Sequence, residues 1–261
     1  LQDRIEVLDE KLFVALGAKV EENDYTGFEH QPSVSATWLL RPNQTLWGSV
    51  ARAVRIPARL DTDLRLVAPL SLPTVPLPIF ATVTGNPQSE SEEVRALEGG
   101  YRVQVGDALS FDLSLFDNEY DHLQTQEAGA PAVVPGPPDY LLLPVRLENL
   151  MEGDSYGGTL AVNWQPLARV RMQMHYSRLN LDLQLKPGSR DMNRPALAGN
   201  SPKDQVGVHS YLELRHDLSL YAGVRYVDDL PNQGVPSYTS LDLSLGWRPS
   251  DQLRVSFTVN N

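Results

Sequence analysis

Apolar and polar residues alternate one for one along most of this chain. Between residues 109 and 115, Leu109, Phe111, Leu113 and Leu115 take one side, and Ser110, Asp112 and Ser114 take the other. A period of two marks a β-strand lying between two different solvents. The same alternation predicts strands over residues 12–21, 33–40, 45–54, 94–104, 109–123, 145–164, 169–181, 205–215, 218–227, 238–247 and 253–259. The strand at 145–164 is long enough to expect a bulge. No segment carries a convincing helical period. Eleven strands of about ten residues are near the length that crosses a bilayer at a tilt. The pattern of a single strand is the same for a dry core against water as for lipid against a wet lumen, so the strands alone leave both open.

The connections separate the two cases. Short polar turns are predicted at RPNQ (from Arg41), VGDA (from Val105), QPLA (from Gln165), His216–Asp217 and RPSDQ (from Arg248). Longer segments lie between them, at 22–31, 56–93, 121–144, 183–204 and 228–237. Short and long alternate without a break. An antiparallel meander in a membrane has that rhythm, with turns on one side and loops on the other. Greek-key sandwiches have no such rule.

All four tryptophans collect beside the short turns. Trp38 precedes Arg41, Trp47 follows Gln44, Trp164 adjoins Gln165 and Trp247 adjoins Arg248. An indole favours the headgroup level, with its ring in lipid and its N–H wet. The four therefore predict a girdle at one membrane interface, although Trp47 is not clearly on the apolar side of its strand. Core packing is the alternative. Small polar residues on the opposite faces, among them Ser33, Ser35, Thr37, Ser110, Ser244 and Ser256, suit a lumen in contact with another polar surface.

Composition narrows the partners. The chain has 261 residues, 41% of them apolar and 21% charged, which excludes a disordered chain. No apolar run reaches the length of a transmembrane helix, which says nothing against a barrel. There is no cysteine, so disulfides and thiolate metal sites are excluded. A net charge of −11 without a basic stripe argues against nucleic acid. The start at Leu1 reads as a processed end or as a piece of something longer.

Several strings together resemble the barrel of TonB-dependent outer-membrane receptors. DYTGFEHQPSVSATWLLRPNQTLWGSVARAVRIPARLD (from Asp24) is similar to the family's paired strands and the Arg-Ala-Val-Arg-x-Pro segment that follows them. GNPQSESEEVRALEGGYR (from Gly85) resembles its Gly-Asn-Pro to Tyr-Arg stretch, with Gly99 where Leu is usual. SLFDNEYDHL resembles a strand end of the family, with Asp117 in place of a Tyr. YGGTLAVNWQP carries Thr159 at a Glu position, and PSYTSLDLSLGWRPSDQLRVSFTVNN resembles the strands before the terminal one. The resemblance implies an all-β, up-and-down part of a 22-stranded transmembrane barrel. It implies that residues 1–261 are its C-terminal part, with the plug domain, the TonB box and the terminal strand missing. It further implies active import of a scarce nutrient such as a ferric siderophore, haem or a cobalamin, driven by the TonB complex through the plug. The partners expected are outer-membrane lipid and a small metal-chelate or cobalamin-like ligand. The location expected is the bacterial outer membrane. A partial barrel has two unpaired edges, so an open sheet or edge pairing with a second chain is expected.

Candidate chemistry is sparse. Arg52, Arg55, Arg59 and Arg65 form a cluster that could receive an anionic ligand, or pair with Asp61, Asp63 or carboxylates of the plug. Tyr120 and His122 stand where a strand enters its loop and could face an iron chelate, or be ordinary loop residues. From these, Arg55, Arg59, Tyr120 and His122 are the candidate ligand contacts. His30, His175 and His209 show no metal-ligand spacing. Glu21–Tyr25 and Asp117–Asp121 could bind calcium or be solvated loops. Pro69, Pro73, Pro76, Pro78 and Pro87 predict a semi-rigid polyproline run over the mouth. No nucleophile–base pair or phosphate loop appears, no cofactor is indicated, and the chain does not read as an enzyme. A passive porin or structural barrel, and a soluble β-sandwich or lipocalin-like binding module, are the alternatives to a transporter.

Overall fold

The computed structural model describes residues 1–71, 76–191 and 193–261. Twelve strands hydrogen-bond in chain order as an antiparallel meander. They are β1 (Gln2–Leu8), β2 (Leu12–Asn23), β3 (Gly27–Arg41), β4 (Gln44–Arg55), β7 (Glu92–Val105), β8 (Leu109–Ala128), β10 (Tyr140–Leu167), β11 (Val170–Leu185), β12 (Asp204–Arg215), β13 (Leu218–Val227), β14 (Tyr238–Ser250) and β15 (Leu253–Asn260). Three shorter strands, β5 (Arg65–Leu70), β6 (Ile79–Thr84) and β9 (Ala132–Val134), lie in the long connections. The sheet is open, with β1 and β15 at its two ends.

The register explains the alternation. Leu12, Trp38, Leu46, Tyr101, Leu113, Leu160, Tyr176 and Val206 are successive cross-strand partners in one row. Another row runs Val105, Leu109, Trp164, Met172, Ser210, Ala222, Leu243 and Val259. All these side chains share the face that stays open. Leu16, Val34, Val50, Leu97, Leu115, Tyr156 and Phe257 keep between 44% and 68% of their surface exposed. An apolar patch of this extent is foreign to a water-soluble monomer.

The outward face changes chemistry within one register step. Leu97, Asp117, Tyr156 and Asn180 form the boundary row, and the next row is Arg95, Glu119, Asp154 and Asp182. Above that boundary β11 inverts: Asn180, Asp182 and Gln184 share the outward face of Tyr176, while Leu179, Leu181 and Leu183 turn inward. Between Tyr156 and Trp164, β10 makes eight steps of about 3.3 Å; at a tilt of roughly 40° these give about 20 Å of height, near the ~25 Å of a lipid-facing band.

The short turns predicted at RPNQ, VGDA, QPLA, His216–Asp217 and RPSDQ all lie at the Trp164 end, and the long connections lie at the other. Several details differ from expectation. Residues 2–8 form β1, whose charged Asp3, Arg4 and Glu6 hide its alternation. Residues 22–31 are no long loop: the ladder runs up to Asn23–Gly27, and the Asn23 side chain accepts from the Tyr25 and Thr26 N–H groups at 2.9 and 2.8 Å. Backbone pairing continues there because it does not depend on apolar side chains. The expectation of no helix gives way to α1 (Arg59–Asp63) and 3-10 turns at Arg194–Asn200 and Pro231–Gln233, all too short for a periodic signal.

The proline-rich segment is corrected most. Pro69 sits in β5 opposite Phe80 of β6, so the described parts on either side of 72–75 pair as antiparallel strands; Pro73 lies outside the described residues. β6 runs parallel to β10. Val145 pairs with both Ala128 of β8 and Val83 of β6, so β6 occupies the edge of β10 away from β8. The connection from β4 to β7 therefore crosses β8 and β10 as a strap. The buried apolar side chains among the described residues are Ile79, Leu147 and Met151 near this strap, and Val227 at the end of β13. The dry core belongs to the long-loop end, not to the sheet.

Candidate functional site

Trp38, Trp164 and Trp247 stand on the outward face at 43%, 40% and 45% exposure. The Trp247 indole N–H donates to Asp217 in the short turn at 3.2 Å, leaving its ring facing out. Trp47 does not join them. Its neighbour Leu46 occupies the outward row, so Trp47 faces inward, and a Cβ at Gly100 would lie 2.6 Å from its ring. Gly100 is the space that lets the indole lie flat on the sheet.

At the opposite end, the strap is held by charge. The Asp61 carboxylate accepts from the Ala58 N–H at 2.8 Å, from Gln124 at 2.8 Å and from Arg55 at 3.2 Å. Burial works against the Asp61 charge, but these donors outweigh it and hold the carboxyl below its ordinary value. Arg55 also donates to Glu92 at 2.7 Å, and that bond keeps its guanidinium above its usual range against partial burial. Arg52 pairs with Glu93 at 2.7 Å, which holds the Glu93 carboxyl low. Arg59 is 86% exposed, with Asp63 one turn away at 3.4 Å. Further along, Asn86 donates to Glu148 at 2.7 Å and accepts from Arg146 at 2.8 Å, fastening the strap to β10. Thus Arg55 and Arg59 pair with Asp61 and Asp63, the partners their alternative reading named, Arg52 pairs instead with Glu93, and Arg65 is exposed at the start of β5.

Tyr120 borders, and His122 lies within, an irregular step in the register between β8 and β10, where Tyr120 faces Gly153 but Leu123 faces Met151. The Tyr120 hydroxyl lies 3.2 Å from the Ser155 hydroxyl on the inner wall. His122 takes a left-handed backbone, φ +55°, uncommon for a residue with a Cβ. Asn149 donates to its carbonyl at 2.7 Å and accepts from the Glu90 N–H at 3.0 Å, pinning the bulge to the strap. The imidazole lies 3.3 Å from Glu90 and 3.7 Å from Asp121. Asp121 is also paired with Lys186, whose ammonium, with the His122 N–H, overcomes burial and lowers its carboxyl. Arg55 and His122 thus end in separate ion-pair networks. Among the described residues, no group of three or more His, Cys, Asp or Glu side chains is gathered to hold a metal ion, including those of 21–25 and 117–121.

The inner wall holds a feature that spacing did not reveal. His175 and His209 stack with ring centres 5.7 Å apart, and His209 stacks on Tyr221 at 6.0 Å. The His209 Nδ1 lies 2.8 Å from the Tyr221 hydroxyl. Tyr211 lies beside Tyr221 with ring centres 5.0 Å apart. These residues come from three strands, and only their odd numbering on alternating strands marked them as inward-facing.

The comparisons with known proteins agree with this architecture. The family model described as TonB dependent receptor-like, beta-barrel matches residues 1–261. No curated protein matches the chain. Among solved structures, the siderophore receptor PirA from Acinetobacter baumannii superposes with a TM-score of 0.73 at 16% identity, over 99% of this chain and 40% of PirA. A mutant of the ferric enterobactin receptor PfeA from Pseudomonas aeruginosa gives a TM-score of 0.74 at 17% identity, over 100% of this chain and 38% of PfeA. The ferric yersiniabactin uptake receptor FyuA from Yersinia pestis gives 0.61 at 15% identity, over 97% of this chain and 38% of FyuA. The chain thus spans about two fifths of each of these receptors. With alternating outward rows, turns gathered at one end and a family model covering its whole length, this chain belongs to the TonB-dependent receptor β-barrel family.

Proposed function

We propose that residues 1–261 form the C-terminal part of a bacterial outer-membrane barrel that imports a scarce nutrient, such as a ferric siderophore, haem or a cobalamin. Strands outside this chain complete the barrel, and a plug in its lumen couples it to TonB. The observation that carries this reading is the outward face: an apolar band ends within one register step at a charged row, beneath a mouth built by long connections. That arrangement suits a wall with lipid outside and water within. The receptors it resembles in fold bind siderophores by name, which supports a metal chelate as cargo.

At the mouth, Arg59, Tyr120 and His122 contact the ligand, and Arg55 does so once its Glu92 and Asp61 partners yield. Because three of the four clustered arginines carry carboxylate partners, recognition draws on hydrogen bonds and aromatic contact as well as net charge. The direct experiment deletes the gene and follows growth and radioiron uptake from a panel of ferric chelates under iron limitation, with cobalamin and haem alongside. Loss of uptake for one class, restored by the full-length gene, is the expected result. Unchanged uptake of every nutrient in the panel overturns the transporter reading.

A further inference from the structure

The charge of this chain is not spread evenly along its height. Below the boundary row of Leu97, Asp117, Tyr156 and Asn180, acidic and basic residues nearly balance, so the net charge of −11 belongs almost wholly to the long-connection end. Most cations there already have carboxylates beside them. Arg52 lies 2.7 Å from Glu93 and 4.0 Å from Glu29, Arg146 lies 3.1 Å from Glu148, and Lys186 pairs with Asp121. The surplus is acidic. Glu22 and Asp24 at the β2–β3 tip, Asp139 ahead of β10 and Asp229 beyond β13 are exposed and, among the described residues, have no ion-pair partner. Glu119, Asp154 and Asp182 add to them on the outward row, against Arg65, Arg190 and Lys203 as the cations left without a carboxylate. The same countercharge reaches the residues proposed to meet the cargo. Arg55 lies 2.7 Å from Glu92 and 3.2 Å from Asp61, Arg59 lies 3.4 Å from Asp63, and the His122 imidazole stands between Glu90 at 3.3 Å and Asp121 at 3.7 Å. An anion entering here has to displace carboxylates and then sit among them.

We propose that the cargo of this mouth is a ferric chelate without net negative charge, neutral or cationic, of the trihydroxamate kind. The inference deepens the transporter reading and rests on it. Three hydroxamates cancel the charge of ferric iron, and a pendant ammonium makes the complex a cation. Three catecholates leave it a trianion. Surplus carboxylates around the mouth lower the local concentration of a trianion and slow its encounter, and they do the reverse for a cation. A neutral chelate is indifferent to that field. It is held by hydrogen bonds and ring contact, which Tyr120 and His122 supply. The field reaches far only at low salt, since the Debye length is about 30 Å at roughly 0.01 M and about 8 Å at physiological ionic strength.

The test follows uptake through the full-length protein, in the gene-deletion strain and its complement, of radioiron carried by ferrioxamine B, ferrichrome and enterobactin. These complexes are a cation, neutral and a trianion. The expected result is gene-dependent uptake of ferrioxamine B, ferrichrome or both, and none of ferric enterobactin. Glu22→Gln, Asp24→Asn and Asp229→Asn together should slow ferrioxamine B uptake about threefold or more at low ionic strength, less at physiological salt, and leave ferrichrome uptake unchanged. None of the three is a proposed ligand contact, and heat-modifiable migration on gels confirms that the variant remains a barrel. Gene-dependent uptake of ferric enterobactin overturns the proposal. So does a triple variant that takes up ferrioxamine B as fast, or that slows ferrichrome equally. Gene-dependent uptake of a negatively charged ferric chelate removes the charge class alone; gene-dependent uptake of no ferric chelate removes the reading beneath it.

Discussion

Asp61 shows how one residue organises the mouth. A carboxylate at the third position of a five-residue helix reaches back to the Ala58 N–H, as in half of a capping box, and also receives Gln124 and Arg55. Its folded value lies below the ordinary 3.8, so its contribution is present above pH 3.8 and is lost as the pH falls through the depressed value. Proteolysis between residues 56 and 91 is therefore expected to rise below pH 3.8 while the barrel persists. Asp61→Asn should open the strap at neutral pH, costing about 1 kcal/mol of local stability by hydrogen exchange, and should abolish the acid response. A strap equally protected in both proteins would sink this account. The ion pair was foreshadowed in the sequence, since Arg55 and Asp61 stand six residues apart in a charged run. Gln124 was not: its contact crosses 63 positions and exists only because the strap passes over β8.

At the scale of the strand, the outward face has a place for each chemistry. Leu160 lies in mid-band, between Leu113 and Tyr176. Leu160→Arg should destabilise folding into lipid vesicles by about 2–4 kcal/mol, as for a cation placed on the lipid face near the midplane. Glu119→Arg, on the charged row, should change it little. Equal costs at the two positions would mean that the boundary lies elsewhere. Trp247→Phe keeps an aromatic ring, though a smaller one, and removes the bond to Asp217, so a loss of roughly 0.5–1 kcal/mol or somewhat more is expected in the same assay. Strand positions were legible because the period of two survives wherever one face meets lipid. The top of β2–β3 and β5 were not, because above the apolar band the outward residues are polar and the alternation fades, and β1 was not because Asp3, Arg4 and Glu6 interrupt its pattern. The switch in β11, where Leu179, Leu181 and Leu183 exchange faces with Met172, Met174 and Tyr176, is written in the sequence but reads as continued alternation.

For residues 1–261 taken by themselves, the free edges set the behaviour. Among the described residues, β1 pairs only with β2 and β15 only with β14. Each leaves a row of N–H and C=O groups that lipid cannot satisfy. Residues 1–261 alone are therefore expected to fail to refold in detergent as a closed, heat-resistant monomer, and instead to associate by their edges. Gel migration with and without heating, together with light scattering, reads this directly. A heat-resistant monomer would show that the sheet closes on itself. This chain spans about two fifths of the length of its fold relatives.

The sequence by itself determined the class of the protein: strands of membrane-crossing length, short turns alternating with long connections, and indoles near one end. Each of these follows from neighbours in the chain, because a strand's two faces and a hairpin's turn are local properties. Tertiary structure decided the rest. It turned Trp47 inward, paired the described parts of the proline-rich stretch as strands beside β10, paired Arg55 with carboxylates and set Tyr211, Tyr221 and His209 on one patch of wall. Those outcomes depend on register between strands and on where a long connection lands, and no local pattern encodes either.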